Sequence, residues 1–261
     1  MRTSKTLAIF FAFALLVAAG CGGGDDEFEL PPATGGGAAA GGPAYDPSTA
    51  TGTITGSIFF EGTAPEMGRV NTAADPNCDP GVELRDQSVL VTGDSKLQNV
   101  IVYVNSGHEG ASYPVSSTPV VLDQRNCRYE PHIFTMMANQ PLLIRNSDPT
   151  THNVHAFPEQ NMVINFAQAR QGMENTETFG IPEYMPPIPI RCDVHRWMNS
   201  FGGVFDHPFH AVSGEAGTFA INVPPGTYEI MTWHEMYGEM SSTVEVADGA
   251  TVELDFTYSA N

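Results

Sequence analysis

Within eight residues, RCDVHRWM (Arg191 to Met198), the chain sets a thiol at Cys192, an imidazole at His195 and a thioether at Met198, spaced C-x2-H-x2-M. Upstream, NSDPTTHNVHAF supplies two more imidazoles at His152 and His155. Two imidazoles, one thiolate and one thioether suit a one-electron metal centre. Thiolate is soft enough to hold Cu(I), imidazole serves both copper oxidation states, and a distant thioether favours the reduced ion. The set expected is His152, Cys192, His195 and Met198, holding one copper ion. His155 is the rival for His152, because residues two apart on a strand share a face. The spacing C-x2-H also occurs in zinc sites, but zinc does not call for a thioether and structural zinc centres use several thiolates. Four protein donors leave no open position for a substrate, and neither a Ser-His-Asp set nor a carboxylate pair is evident. The expectation is therefore a metal-binding protein without catalytic activity.

Donors from distant segments need a rigid scaffold. From Thr51 onward the apolar runs are short, alternating and rich in Val, Ile, Thr, Phe and Tyr, with turn residues between them, which predicts an all-β protein. GTFAINV and TYEIMTW around PPG read as a hairpin, and so do SSTVEV and ATVELDF around ADG. FAQARQGMEN is the nearest approach to a helical turn. MPPIPIRC, carrying three prolines into Cys192, predicts a strand that is short or at an edge.

HNVHAF and CDVHRWM resemble the ligand segments of the cupredoxins, among them amicyanin and plastocyanin, and FTMMANQPLLIRNSDPTTHNVHAF resembles their strand pair leading into the first ligand. The resemblance implies a type 1 (blue) copper site in a Greek-key β-sandwich over 116–206, carrying single electrons. It selects His152 over His155, and gives Asn153 the role of tying the two ligand loops together. Asp193 stands where the family commonly has a small hydroxyl residue, and a carboxylate beside the thiolate would favour Cu(II). Arg196 and Trp197 replace the small apolar face that the family has around an exposed His. On either side, GTITGSIFFEGTAP with NVIVYV, and G-x-F-x-I-x-x-x-P-P-G-x-Y, resemble the two halves of a carboxypeptidase regulatory-like (prealbumin-like) β-sandwich. That implies a discontinuous domain, 51–115 with 207–261, into which the copper domain is inserted. A copper chaperone or sequestration protein, and a carbohydrate- or protein-binding sandwich with a vestigial metal site, are the alternatives.

Residues 1–20 read as a signal peptide, with Arg2 and Lys5 before an apolar run. VAAGC resembles a bacterial lipobox, which implies lipidation of Cys21 and membrane anchoring; Gly22 in place of Asp points to the outer membrane. Residues 21–50, rich in Gly, Ala and Pro, read as a disordered tether. An exported chain keeps disulfides, and with Cys21 and Cys192 assigned, Cys78 and Cys127 remain as a pair. Loss of Arg2 and Lys5 leaves 11 − 2 = 9 basic residues against 30 acidic ones, a net charge of 9 − 30 = −21. Such a surface repels nucleic acid and favours a basic redox partner or cations.

Overall fold

In the strand TITGSIFF the alternate residues Ile54, Ile58 and Phe60 turn inward and are buried, the pattern of a sheet with one face on a core. The computed structural model describes residues 42–78, 81 and 83–260; the expected signal peptide, Cys21 and most of the tether lie outside them. In chain order the strands are β1 (Gly52–Glu61), β2 (Ile101–Ser106), β3 (Val120–Arg125), β4 (Arg128–Glu130), β5 (Ile133–Met137), β6 (Leu142–Asn146), β7 (His152–Ala156), β8 (Ile164–Gln168) and β9 (Glu174–Glu177). There follow β10 (Glu183–Arg191), β11 (Asn199–Phe205), β12 (His210–Val212), β13 (Thr218–Val223), β14 (Gly226–His234), β15 (Gly238–Val246), β16 (Thr251–Glu253) and β17 (Phe256–Ser259). The protein is all-β, with only two short 3-10 turns among the described residues, Pro47–Thr49 and Pro76–Cys78.

The ladders divide by position along the chain. One pair of sheets, β13-β1-β16 with β17 also on β1, and β12-β2-β14-β15, uses only the two ends of the described chain. A second pair, β5-β11-β10-β7-β8 and β4-β3-β6-β9, uses only its middle. Each pair encloses a core of its own, one around Ile54, Val102, Ile221 and Ile230, the other around Leu122, Phe134, Ile144 and Ile190. A third cluster, Ile101, Tyr103, Ile133 and Phe205, is shared between the two, with Tyr184 stacked on Phe205 at 4.8 Å between ring centroids. Full burial of one such large side chain contributes about 2 kcal/mol, so continuous core joins the sandwiches. Beside it the buried imidazole of His132 meets the Glu235 carboxylate.

Several local expectations fail. Neither expected hairpin forms: β13 lies on β1 whereas β14 joins the opposite sheet, and β15 and β16 are divided in the same way. Pro224 and Pro225 offer no N–H to close a ladder, so PPG serves as an arch between sheets, fastened where the Tyr228 hydroxyl donates to the Pro224 carbonyl at 2.7 Å. In this stretch the hairpin instead joins β14 to β15, through residues 235–237. FAQARQGMEN is divided between β8 and β9 rather than helical, because Phe166 and Ala167 pair with Val154 and Asn153. The proline-rich β10 is nine residues long and central in its sheet. Its prolines are tolerated because the register with β11 skips between Glu183 and Ile188, and β7 is paired only at Ile190 and Arg191. Residues 42–50, tether by composition, carry structure: Ala44 bridges to Ser112, and the Tyr45 ring meets Phe209 edge-on at 5.5 Å.

Three histidines of the C-terminal half are held neutral, His207 and His234 buried and His210 half-buried. Burial pushes His210 and His234 down to about 4 and His207 to about 2; His132 adds to the effect at His234, and His108 and His210 add to it at His207. Unfolded, each imidazole takes up a proton below its ordinary value near 6.5, so the unfolded chain binds more protons and stability falls as pH drops from about 6.5 toward 4. Chemical denaturation across that interval should show the loss, at about 1.4 kcal/mol per pH unit for each such group, with His234→Gln reducing the slope.

Candidate metal centre

His152 is the first residue of β7; Cys192, His195 and Met198 lie on the loop from β10 to β11. That loop is closed on itself. The His195 N–H donates to Cys192 Sγ at 3.3 Å, the Met198 N–H to the His195 carbonyl at 2.8 Å, and the Cys192 N–H to the Met198 carbonyl at 3.2 Å. It is also tied to β7: the Asp193 N–H donates to Asn153 Oδ1 at 3.1 Å, and the Asn153 N–H to Cys192 Sγ at 3.4 Å. The result brings His152 Nδ1 to 3.0 Å from His195 Nδ1, with Cys192 Sγ 4.0 Å from the latter. The rings stand 4.9 Å apart at 68°. All three side chains are buried, and Met198 lies in the same core cluster as Cys192.

Behind each imidazole stands a carboxylate. His152 Nε2 faces Asp148 Oδ2 at 2.8 Å, and His195 Nε2 faces Asp75 Oδ2 at 3.1 Å. Both Nε2 atoms therefore carry protons, and the two Nδ1 atoms turn their lone pairs inward toward the sulfur. Three such donors facing one another need a proton or a cation between them. In the metal-free chain a proton serves. Burial pushes His152 down, but its hydrogen bond to Asp148 and the neighbouring Cys192 outweigh that and lift it to about 9. Burial alone would raise Cys192, yet hydrogen bonds from His152 and from the His195 and Asn153 amides hold its thiol below the ordinary value. His195 is pushed down by burial, with the charge of His152 adding to it. Asp148 stays below the ordinary carboxylate range despite burial, since it accepts from His152 and from the Cys127 and Asn126 amides. Asp75 is brought down to about 2, chiefly by the Thr150 hydroxyl.

His155 is not in this group. Its Nδ1 faces the Asp193 carboxylate at 3.1 Å, its ring stacks on Phe157 at 3.9 Å, and its side chain remains 21% exposed. Asp193 therefore turns its charge to His155 and only its backbone N–H to Asn153. The expected disulfide is present between Cys78 and Cys127, and it lies against the centre, with Cys78 Sγ 3.5 Å from His195 Nε2. Trp197 covers the same side, its ring 5.1 Å from His195 and its Nε1–H donating to the Cys127 carbonyl at 3.0 Å. Where the cupredoxin resemblance implies an exposed imidazole, His195 is only 2% accessible.

Sequence reading missed Asp148 and Asp75. A signal existed for the first, since NSD sets up an Asx turn, with the Asp148 N–H donating to Asn146 Oδ1 at 2.9 Å, four residues before His152. For Asp75, 120 positions from its partner, none did.

No protein-family profile and no curated protein matches the chain. Among solved structures it is similar to a reduced Cu(I) form of an amicyanin variant, with 16% identity over 40% of this chain and 97% of that one, at a TM-score of 0.30. It is also similar to a purple cupredoxin from Nitrosopumilus maritimus, with 17% identity over 33% of this chain and 98% of that one, at 0.28. A copper-containing nitrite reductase from Thermus scotoductus matches at 12% identity over 57% of this chain and 28% of that one, at 0.30. Scores at this level leave the geometry of the chain itself to carry any functional reading.

Replacing Asp148 by Ala would strand three donors, His152 Nε2–H and the Asn126 and Cys127 amides. Denaturant titration of the metal-free protein should show a loss of about 3–5 kcal/mol.

Proposed function

We propose that the protein binds one copper ion through His152, Cys192, His195 and Met198 and carries single electrons. The observation behind this reading is the convergence of two Nδ1 atoms and the Cys192 sulfur, with the outer nitrogens of both imidazoles already engaged, so that the rings cannot turn away. The donor set fits the ion: two imidazoles and one thiolate suit copper in both oxidation states, with Met198 as the weak thioether. Bound copper would supply a one-electron couple. The chain's part is to hold the donors still. His152 is fixed by Asp148 and β7, His195 by Asp75 and the closed loop, and Cys192 by two backbone N–H groups. Donors that do not move make the transfer fast.

In this reading the middle of the chain, 116–206, is a cupredoxin domain inserted in a carboxypeptidase regulatory-like sandwich formed by 51–115 and 207–261. The segregation of the sheets supports it. The lipobox-like VAAGC at Cys21 supports export and anchoring by lipid, and the −21 charge of the processed chain favours a basic redox partner.

Adding Cu(II) to the soluble chain should give an intense visible thiolate-to-copper band that bleaches and returns through redox cycling. His152→Ala and Cys192→Ser should lose the band, and His155→Ala should keep it. A colourless protein taking up only Cu(I) would make it a carrier of metal rather than of electrons.

A further inference from the structure

The side of His195 turned away from the donor cluster is covered by a segment of the flanking sandwich. Asp75 begins the turn Pro76–Cys78, and the Cys78 N–H donates to its carbonyl at 2.9 Å. The turn is anchored in the other sandwich by the Cys78–Cys127 disulfide. One oxygen of Asp75, Oδ1, is occupied by Asn77, accepting from its N–H at 2.9 Å and from its Nδ2 at 3.0 Å. The other, Oδ2, accepts from Thr150 Oγ1 at 2.6 Å and faces His195 Nε2 at 3.1 Å. Thr150 lies two residues before His152. A single carboxylate oxygen therefore clasps both ligand-bearing loops from a third part of the chain.

We propose that Asp75 is a positioning residue of this centre, which holds the His195 Nε2–H, closes that imidazole edge to solvent and stabilises the oxidised ion. The proposal rests on the copper reading above. A carboxylate accepting from the distal N–H of a ligating imidazole fixes its tautomer and orientation and strengthens it as a donor. A fixed negative charge close to the ion favours the higher oxidation state for the same electrostatic reason. With the side chain of Asp75 18% exposed and that of His195 3% exposed, water screens the interaction little.

Two measurements test it on the full chain. In the copper-loaded protein, Asp75→Asn keeps the shape and a hydrogen-bond acceptor but removes the charge. The visible band should persist while the Cu(II)/Cu(I) ratio at a fixed poise falls at least tenfold, a rise of about 59 mV for a one-electron couple. A change of under twofold in Asp75→Asn with the band intact would overturn the inference and leave the copper reading standing. In the metal-free protein, the His195 Nε2–H should give a slowly exchanging proton resonance that disappears in Asp75→Ala. Persistence of that resonance would equally overturn the inference. If the wild-type chain takes up no copper, the functional reading falls, and the resonance alone decides whether Asp75 holds His195.

Discussion

Two imidazoles turned nitrogen to nitrogen, 3.0 Å apart beside a thiol, are held together only while a proton or a cation lies between them and their outer nitrogens are engaged. Here that engagement comes from behind. Asp148 and Asp75 engage the outer nitrogens, so neither ring can rotate its lone pair elsewhere without stranding a buried N–H. Asp148 is itself fixed by the Asn126 and Cys127 amides, and Asp75 by Thr150 and Asn77. Much of the surrounding architecture supports this one contact: the closed Cys192–Met198 loop, the Asn153 tie to β7, and the turn at Pro76–Cys78 pinned by the disulfide.

The centre therefore belongs to more than the sheets that carry its donors. The donors sit on the middle sandwich, but the carboxylate behind His195 comes from the end of the chain that forms the other one. Shared core at Ile101, Tyr103, Ile133 and Phe205, with the buried His132–Glu235 pair beside it, holds the sandwiches in register. The close fit of β1 illustrates how tightly the outer sandwich is built. At Gly56 any side chain would run into the Leu254 carbonyl, where β1 changes partner from β16 to β17.

What could be read in the sequence was what depends on residue type and short spacing. Alternation gave the all-β class, and C-x2-H-x2-M with HNVH upstream found three side chains that the fold brings together. What could not be read was long-range. The arches at PPG and ADG look like hairpins locally, because a strand's period says which face is buried but not which sheet the strand joins. The prolines of β10 suggested an edge, yet a register skip lets them sit in the middle of a sheet. Asp75 has no local mark at all, since its role exists only once a turn far upstream has been folded onto His195.

The disulfide against His195 also bears on how many thiols stand free beside the centre. Cys78 and Cys127 lie within ligand distance of the same imidazole that Cys192 approaches, and bonded to each other they are inert toward a soft metal. Were they open, an arriving cuprous ion would meet two further thiols at the same door, and thiols retain that ion more tightly than a histidine-rich pocket does. In the copper reading, oxidative pairing would limit the thiols open to the ion. It ensures that of the three cysteines around His195 only one is left to bind.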